Sequence, residues 1–197
     1  MNPFLPRHED DVLRLITDYP LAWVVSMGAA GGGATPLPLL AETDAEGRIE
    51  ALLGHFARSN PQVALLERQP EAMILFQGPQ GYIPPRLVSN PIWGPTWNYV
   101  VARFDVEVRF VPEETDAAVE KLAAALERDR PEPWTPERMG ARRAELAKRI
   151  IAFRARVIAA HPRFKLGQDE ATQTFDEIVT GLDDATLAAW MTQTVRG

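Results

Sequence analysis

The chain has 197 residues, 46% of them hydrophobic and 24% charged, with no cysteine and a formal net charge of −6. That length buries a sizeable core in one domain, and 17 scattered prolines without a low-complexity tract argue against disorder. Without cysteine there is no disulfide, thiolate metal site or thiol nucleophile, so any redox chemistry needs a bound cofactor.

Only three histidines are present, His8, His55 and His161, and their spacing suits no metal site. The negative balance opposes a whole-surface affinity for nucleic acid. Within 138–165, however, nine basic residues (Arg138, Arg142, Arg143, Lys148, Arg149, Arg154, Arg156, Arg163, Lys165) stand against Glu145 alone, which predicts a local positive face. No run of roughly 18 apolar residues offers a membrane span, and residues 1–20 lack the basic-then-apolar pattern of a secretory signal. The expected location is the cytoplasm.

In chain order, 9–18 carries Val12, Leu13 and Ile16 at helical spacing behind an acidic first turn, and Pro20 stops the helix. A β-rich run at 21–27, a glycine turn at 28–33 and an extended segment at 34–41 make a hairpin. Pro36 and Pro38 give its second strand an irregular or edge character. The turn 44–47 leads to a strand at 48–56, and three consecutive antiparallel strands suggest a meander or barrel. Asn60-Pro61 opens a helix to about 68, with Pro61 suited to the first turn. A short strand at 72–76 closes at Gly78-Pro79, and a long alternating strand follows at 96–111. Helices are predicted at 113–128 and 136–149, a strand at 150–159, and a last helix capped by Asp183-Asp184. Strands with helices between them predict an α+β fold.

Four segments are rich in polar or aromatic groups. Residues 54–62 join a strand end to a helix start, where free N–H groups and the helix dipole favour an anion. There Arg58 adds a guanidinium fork, Ser59 a hydroxyl and His55 a further donor. The plainer alternative is that Ser59 or Asn60 caps the helix and Arg58 points into water. At 76–85, Gln77 can bond a ring heteroatom and Gly78 can let a flat ligand approach, although a turn alone would also explain Gly78-Pro79. Trp97, Asn98 and Tyr99 at the mouth of the long strand can wall a planar heterocycle or fill the core. Lys165-Leu166-Gly167-Gln168 is a short late motif.

Taken together and in this order, these segments resemble the PaiB family of FMN-binding split-barrel proteins, the FMN-binding negative transcriptional regulators related to pyridoxamine-phosphate-oxidase-like flavoproteins. The resemblance rests on Leu37-Pro38-Leu39-Leu40, residues 54–61, Phe76-Gln77-Gly78-Pro79, Tyr82-Ile83-Pro84-Pro85, Pro95-Thr96-Trp97-Asn98-Tyr99 and Lys165-Leu166-Gly167-Gln168. It implies an antiparallel six-stranded Greek-key split β-barrel with peripheral helices. The whole of 1–197 would be one domain, with inserted helices at about 113–149 and a C-terminal helix at about 183–195. FMN would be the cofactor, bound by His55, Arg58, Ser59, Asn60, Gln77, Trp97, Asn98, Lys165 and Gln168. A homodimer is implied, with Trp97 and Tyr99 near its interface, together with a DNA or regulatory-protein partner and no membrane.

Two departures bear on the site. The family's Asn-His pair before the Leu-Pro strand is here Thr35-Pro36, and its Lys-Leu-Ser-Gln-Asn is Lys165-Leu166-Gly167-Gln168-Asp169. An added carboxylate, able to pair with Lys165, and a lost hydroxyl imply weakened cofactor binding. Three functions remain open: a flavin-binding repressor, a flavin-dependent oxidoreductase acting on a small molecule, and a flavin-free interaction module that has lost the site.

Overall fold

The structure, a computed structural model, describes residues 2–8, 10–28 and 31–196. Glu9, expected to open the first helix, and Ala29-Ala30 of the expected glycine turn lie outside them. The helices are α1 (Asp10–Asp18), α2 (Pro61–Arg68), α3 (Thr115–Glu127), α4 (Arg142–Ala147), α5 (Thr172–Gly181) and α6 (Ala185–Arg196). The strands are β1 (Leu21–Gly28), β2 (Gly31–Pro38), β3 (Leu40–Thr43), β4 (Ile49–Ala57), β5 (Glu71–Ile83), β6 (Thr96–Phe110) and β7 (Ile150–Lys165). They form one sheet in the order β2-β1-β5-β6-β7-β4-β3, with antiparallel pairing of β1 to β2 and β5, and of β4 to β3 and β7.

The sheet therefore has seven strands rather than six. The extended run 34–41 divides at Leu39, which is fully buried and donates its N–H to the Pro20 carbonyl at 2.9 Å. Pro38 still pairs with Leu21, whereas Leu40 pairs with Leu53. One run thus serves both ends of the strand order, and the first strands do not form a meander. As its prolines require, β2 is an edge strand.

Two other expectations are corrected, and one helix is additional. β5 does not close at Gly78-Pro79 but runs through them. Its pairing to β1 ends at Ala22 opposite Phe76, so Pro79 lies beyond that ladder and its missing N–H costs no bond there. The helix expected over 136–149 splits at Gly140, whose φ of 53° breaks it into a 3-10 turn at Pro136–Met139 and α4. α5 was not anticipated: Ala171 at its N-cap offers no side-chain acceptor to announce a start.

The chain divides into two compact units. One comprises the chain up to Leu15, Gln77–Ala102 and the chain from His161; the other comprises Ile16–Phe76 and Arg103–Ala160. In the second unit Phe56, Phe110 and Phe153 form a ring cluster with centroids 5.0 to 6.4 Å apart, and Phe76 meets Phe104 edge-on at 5.9 Å. Phe164 and Trp190 pack at 6.0 Å in the first unit, among buried Leu166, Phe175, Ile178, Leu187 and Met191. Fully burying each such side chain contributes about 1.5–3 kcal/mol. In β6 the residues Asn98, Val100, Ala102, Phe104, Val106 and Val108 all face inward, which puts Val101 on the opposite face.

Candidate functional site

In the second unit the polar segment begins on β4. His55 is half-buried opposite Ala152, and its Nδ1 is buried without a protein partner. Burial holds the imidazole pKa below its ordinary value, so the ring is neutral at pH 7. After Ala57 the chain turns, pinned by Arg58 N–H to the Arg149 carbonyl at 2.8 Å and Asn60 N–H to the Ala57 carbonyl at 2.9 Å. The side chains of Arg58 and Ser59 point outward from this pinned turn. Both are exposed, and neither has a side-chain hydrogen bond or ion pair among the described residues.

The start of α2 is less open to an anion than its position suggests. Pro61 has no N–H, Gln62 N–H donates to the Asn60 Oδ1 at 2.9 Å, and Val63 N–H donates to the Asn60 carbonyl at 3.0 Å. Asn60 is the helix cap and spends its amide nitrogen on Thr35 Oγ1 at 2.9 Å. An anion here would meet side chains rather than backbone donors.

Gln62, not singled out from sequence, is the most heavily bonded side chain of the segment and only 2% exposed. Its Nε2 is shared among the Val24 carbonyl (3.0 Å), Ser26 Oγ (3.1 Å) and the Gly33 carbonyl (3.2 Å), while Oε1 accepts from Thr35 Oγ1 at 2.7 Å. The one available signal was a polar residue just behind a proline at a helix start, which equally describes a solvated position.

The first unit holds the other candidates. Gln77 is exposed, and Gly78 is buried where a β-carbon would meet Leu15 Cδ1 at 2.7 Å and Val100 Cβ at 3.2 Å. Core packing, not a ligand, accounts for that glycine. Trp97 is exposed, donates its indole N–H to Gln80 Oε1 at 2.5 Å and stands 6.0 Å from the Tyr82 ring at 49°. Asn98 is 1% exposed; its Nδ2 reaches only Met191 Sδ at 3.5 Å, and its Oδ1 has no protein partner. Tyr99 Oη accepts from Arg163 Nε at 2.8 Å. Lys165 donates to Thr96 Oγ1 rather than pairing with Asp169, which is exposed. Gln168 closes the turn after β7, accepting from Leu166 N–H at 2.7 Å and donating to the Phe164 carbonyl at 2.5 Å.

Each unit thus gathers part of the predicted set: His55, Arg58 and Ser59 in one, Trp97 and Asn98 with Tyr82 and Gln80 in the other. Asn60, Lys165 and Gln168 are engaged within the protein. The stretch 138–165 is partly neutralised. Arg143 pairs with Glu120 and Glu137, Lys148 with Glu145, Arg154 with Glu42 and Glu114, and Arg156 with Glu107.

Residues 2–159 match the family described as "Putative FMN-binding domain". The chain is 29% identical over 138 residues to the protease synthase and sporulation protein PAI 2 of Bacillus subtilis (strain 168), covering 68% of this chain. The match spans 65% of that relative, less than two thirds of its length. Among solved structures, the FAD and heme binding protein from Mycobacterium smegmatis aligns with a TM-score of 0.59 and 14% identity over 89% of this chain and 78% of its own. The flavocytochrome Anf3 from Azotobacter vinelandii aligns with a TM-score of 0.59 and 14% identity over 83% and 70%. At these identities the likeness shows the fold, the α+β split barrel.

Proposed function

The chain belongs to this FMN-binding family, and from that premise we propose that it is a flavin-loaded regulator of the PaiB type whose cofactor is held mainly by side chains. The observation that carries the reading is a coincidence of position. Among the described residues, the buried side-chain polar atoms left without a protein partner are His55 Nδ1 and Asn98 Oδ1. Both fall in segments that carry the family resemblance. Leaving such a group unpaired costs about 1–3 kcal/mol, and a polar cofactor offers partners that would offset it.

FMN brings a redox-active ring and a phosphate dianion. In this reading the Arg58 guanidinium and the Ser59 hydroxyl bind the phosphate, and the neutral His55 supplies a hydrogen-bond donor or acceptor. A guanidinium and a hydroxyl bind a phosphate through charge-assisted hydrogen bonds. The regulatory part rests on the Bacillus relative, whose name ties it to protease synthesis and sporulation. Because ion pairs engage four of the nine basic residues of that stretch, Arg143, Lys148, Arg154 and Arg156, we read the regulation as acting through a protein partner rather than a cationic DNA-binding face.

The same reading makes the protein a homodimer. On β1 the large side chains Leu21, Trp23 and Met27 are exposed, and Ile158 of β7 joins Met27 along a groove of about 440 Å³. Apolar surface of this kind marks association, and the short or proline-bearing edge strands favour assembly by faces over edges. Trp23→Glu is expected to halve the sedimenting mass; a wild-type monomer at micromolar concentration would overturn the dimer.

The test of the whole reading is a titration with FMN and with riboflavin, which lacks the phosphate, on wild type and Arg58→Ala, followed by mobility shifts on genomic fragments over a salt series. FMN binding that falls by roughly 1.5–3 kcal/mol in the variant, with riboflavin unaffected, supports the phosphate site. Equal binding of FMN by both proteins overturns it, and specific DNA retention by the isolated protein overturns the indirect mode.

A further inference from the structure

We propose that Thr35 and Gln62 are positioning residues for the cofactor's phosphate. Neither touches the ligand; they fix the turn that presents Arg58 and Ser59. The inference rests on the phosphate placement given above, and everything it uses lies in one compact unit.

The geometry is a closed ring of three hydrogen bonds. The Thr35 hydroxyl donates to Gln62 Oε1 at 2.7 Å, the Asn60 amide donates to the same hydroxyl oxygen at 2.9 Å, and Gln62 N–H donates to Asn60 Oδ1 at 2.9 Å. Every member is a donor and an acceptor within the ring, so no link can shift without straining the other two. Gln62 Nε2 then fastens the ring to three acceptors on the β1–β2 hairpin. On its other side, the Asn60 backbone closes the turn onto Ala57, and Arg58 N–H reaches the Arg149 carbonyl.

Arg58 and Ser59 are held through their backbones alone, because their exposed side chains have no partner among the described residues. Their aim is therefore set by where Ala57 and Asn60 stand, and Asn60 stands where the ring puts it. Arginine recognition of phosphate is bidentate and angle-sensitive, so a small tilt of the turn costs affinity without removing any contacting group. Thr35, one of this chain's departures from the family pattern, thus keeps a structural duty beside the site.

The experiment compares Kd values for FMN and riboflavin in Thr35→Val, Thr35→Ser and Arg58→Ala. Valine keeps the shape of Thr35 and removes its hydroxyl. The expected result is an FMN affinity about three- to tenfold weaker in Thr35→Val, riboflavin affinity unchanged, and recovery in Thr35→Ser. A role confined to stability would lower the melting temperature and leave the FMN-to-riboflavin ratio at its wild-type value, which overturns the inference. Loss of both ligands in parallel also overturns it. If Arg58→Ala narrows the ratio while Thr35→Val does not, the positioning role alone fails; if Arg58→Ala leaves it unchanged, the phosphate placement fails and this inference with it. Should Thr35→Val not fold, Asn60→Ser still caps the helix but lacks the amide that bonds Thr35, and the same ratio decides.

Discussion

Gly33 and Gln62 approach so closely that a β-carbon on residue 33 would stand 3.0 Å from Gln62 Cγ and 3.1 Å from its Cδ. The Gln62 amide cannot yield, because its nitrogen is committed to three acceptors and its oxygen to Thr35. Gly33→Ala should therefore destabilise the protein by about 1–3 kcal/mol through overpacking and a loosened hydrogen-bond network. Urea unfolding measures it, with Gly94→Ala, where nothing lies within 4 Å of the new carbon, as the neutral comparison.

Arg154 joins β3 to the start of α3, bonding Glu42 at 2.6 and 3.2 Å and Glu114 at 2.6 Å, while Lys121 adds a bond to Glu42 at 3.1 Å. Burial alone would raise the Glu42 pKa, but the bonds from Arg154 and Lys121 outweigh it and hold the carboxyl below its ordinary range. A carboxylate depressed in the folded state adds stability that is fully present above its unfolded pKa and lost as pH falls through the folded one. Glu42→Gln should cost about 1–3 kcal/mol at neutral pH, a gap that starts to narrow below the ordinary carboxylate range and closes only as pH falls through the depressed folded-state pKa. Unfolding midpoints of both proteins across a pH series from neutral into strong acid test this, and a gap that persists to the acid end would assign the cost to packing.

Gly167 stands where the family pattern has serine, but its φ is 86° and a β-carbon there would lie 3.3 Å from Phe175 Cδ2. Restoring the serine hydroxyl should cost about 1 kcal/mol of stability and bring no gain in FMN affinity. Asp169→Asn, at an exposed position clear of Lys165, should change stability by no more than about 0.5 kcal/mol. Flavin fluorescence quenching and thermal melts of both single variants decide this. Tighter FMN binding in either would return these residues to the cofactor.

What was legible in the chain was whatever local chemistry dictates. Pro61 behind Asn60 marked the start of α2, Asp184 marked α6 by capping Leu187 N–H at 2.9 Å, and alternation marked β6. Pro36 and Pro38 correctly announced an edge. The failures came where the deciding partner is distant in sequence. Gly78-Pro79 reads as a strand end until β1 is seen to stop short of it, and Gly78 reads as room for a ligand until Leu15 and Val100 are seen to fill that room. Gln62 ends the polar segment 54–62, yet its role depends on Val24, Ser26, Gly33 and Thr35, which no spacing rule connects to it.

Asn98 offers the sharpest separation of stability from function. Its side chain is fully enclosed, its nitrogen has only a thioether for a partner at 3.5 Å, and its oxygen has no protein partner. An amide in that condition is a cost to the fold, since burying an unpaired polar group is unfavourable by about 1–3 kcal/mol. Leucine has the same number of side-chain heavy atoms, branches at the same carbon and asks for no partner, so Asn98→Leu, where the pocket accommodates its bulkier methyl groups, should leave the melting temperature unchanged or raise it. If the residue is kept for the cofactor, the same substitution should weaken FMN binding by about 1–2 kcal/mol, the worth of a hydrogen bond plus the penalty of an unmatched polar group on the ligand. Differential scanning calorimetry and FMN titration on one preparation read both effects. A variant that melts lower and binds FMN equally well would make Asn98 a structural residue, its carbonyl served by ordered water, and would remove it from the site.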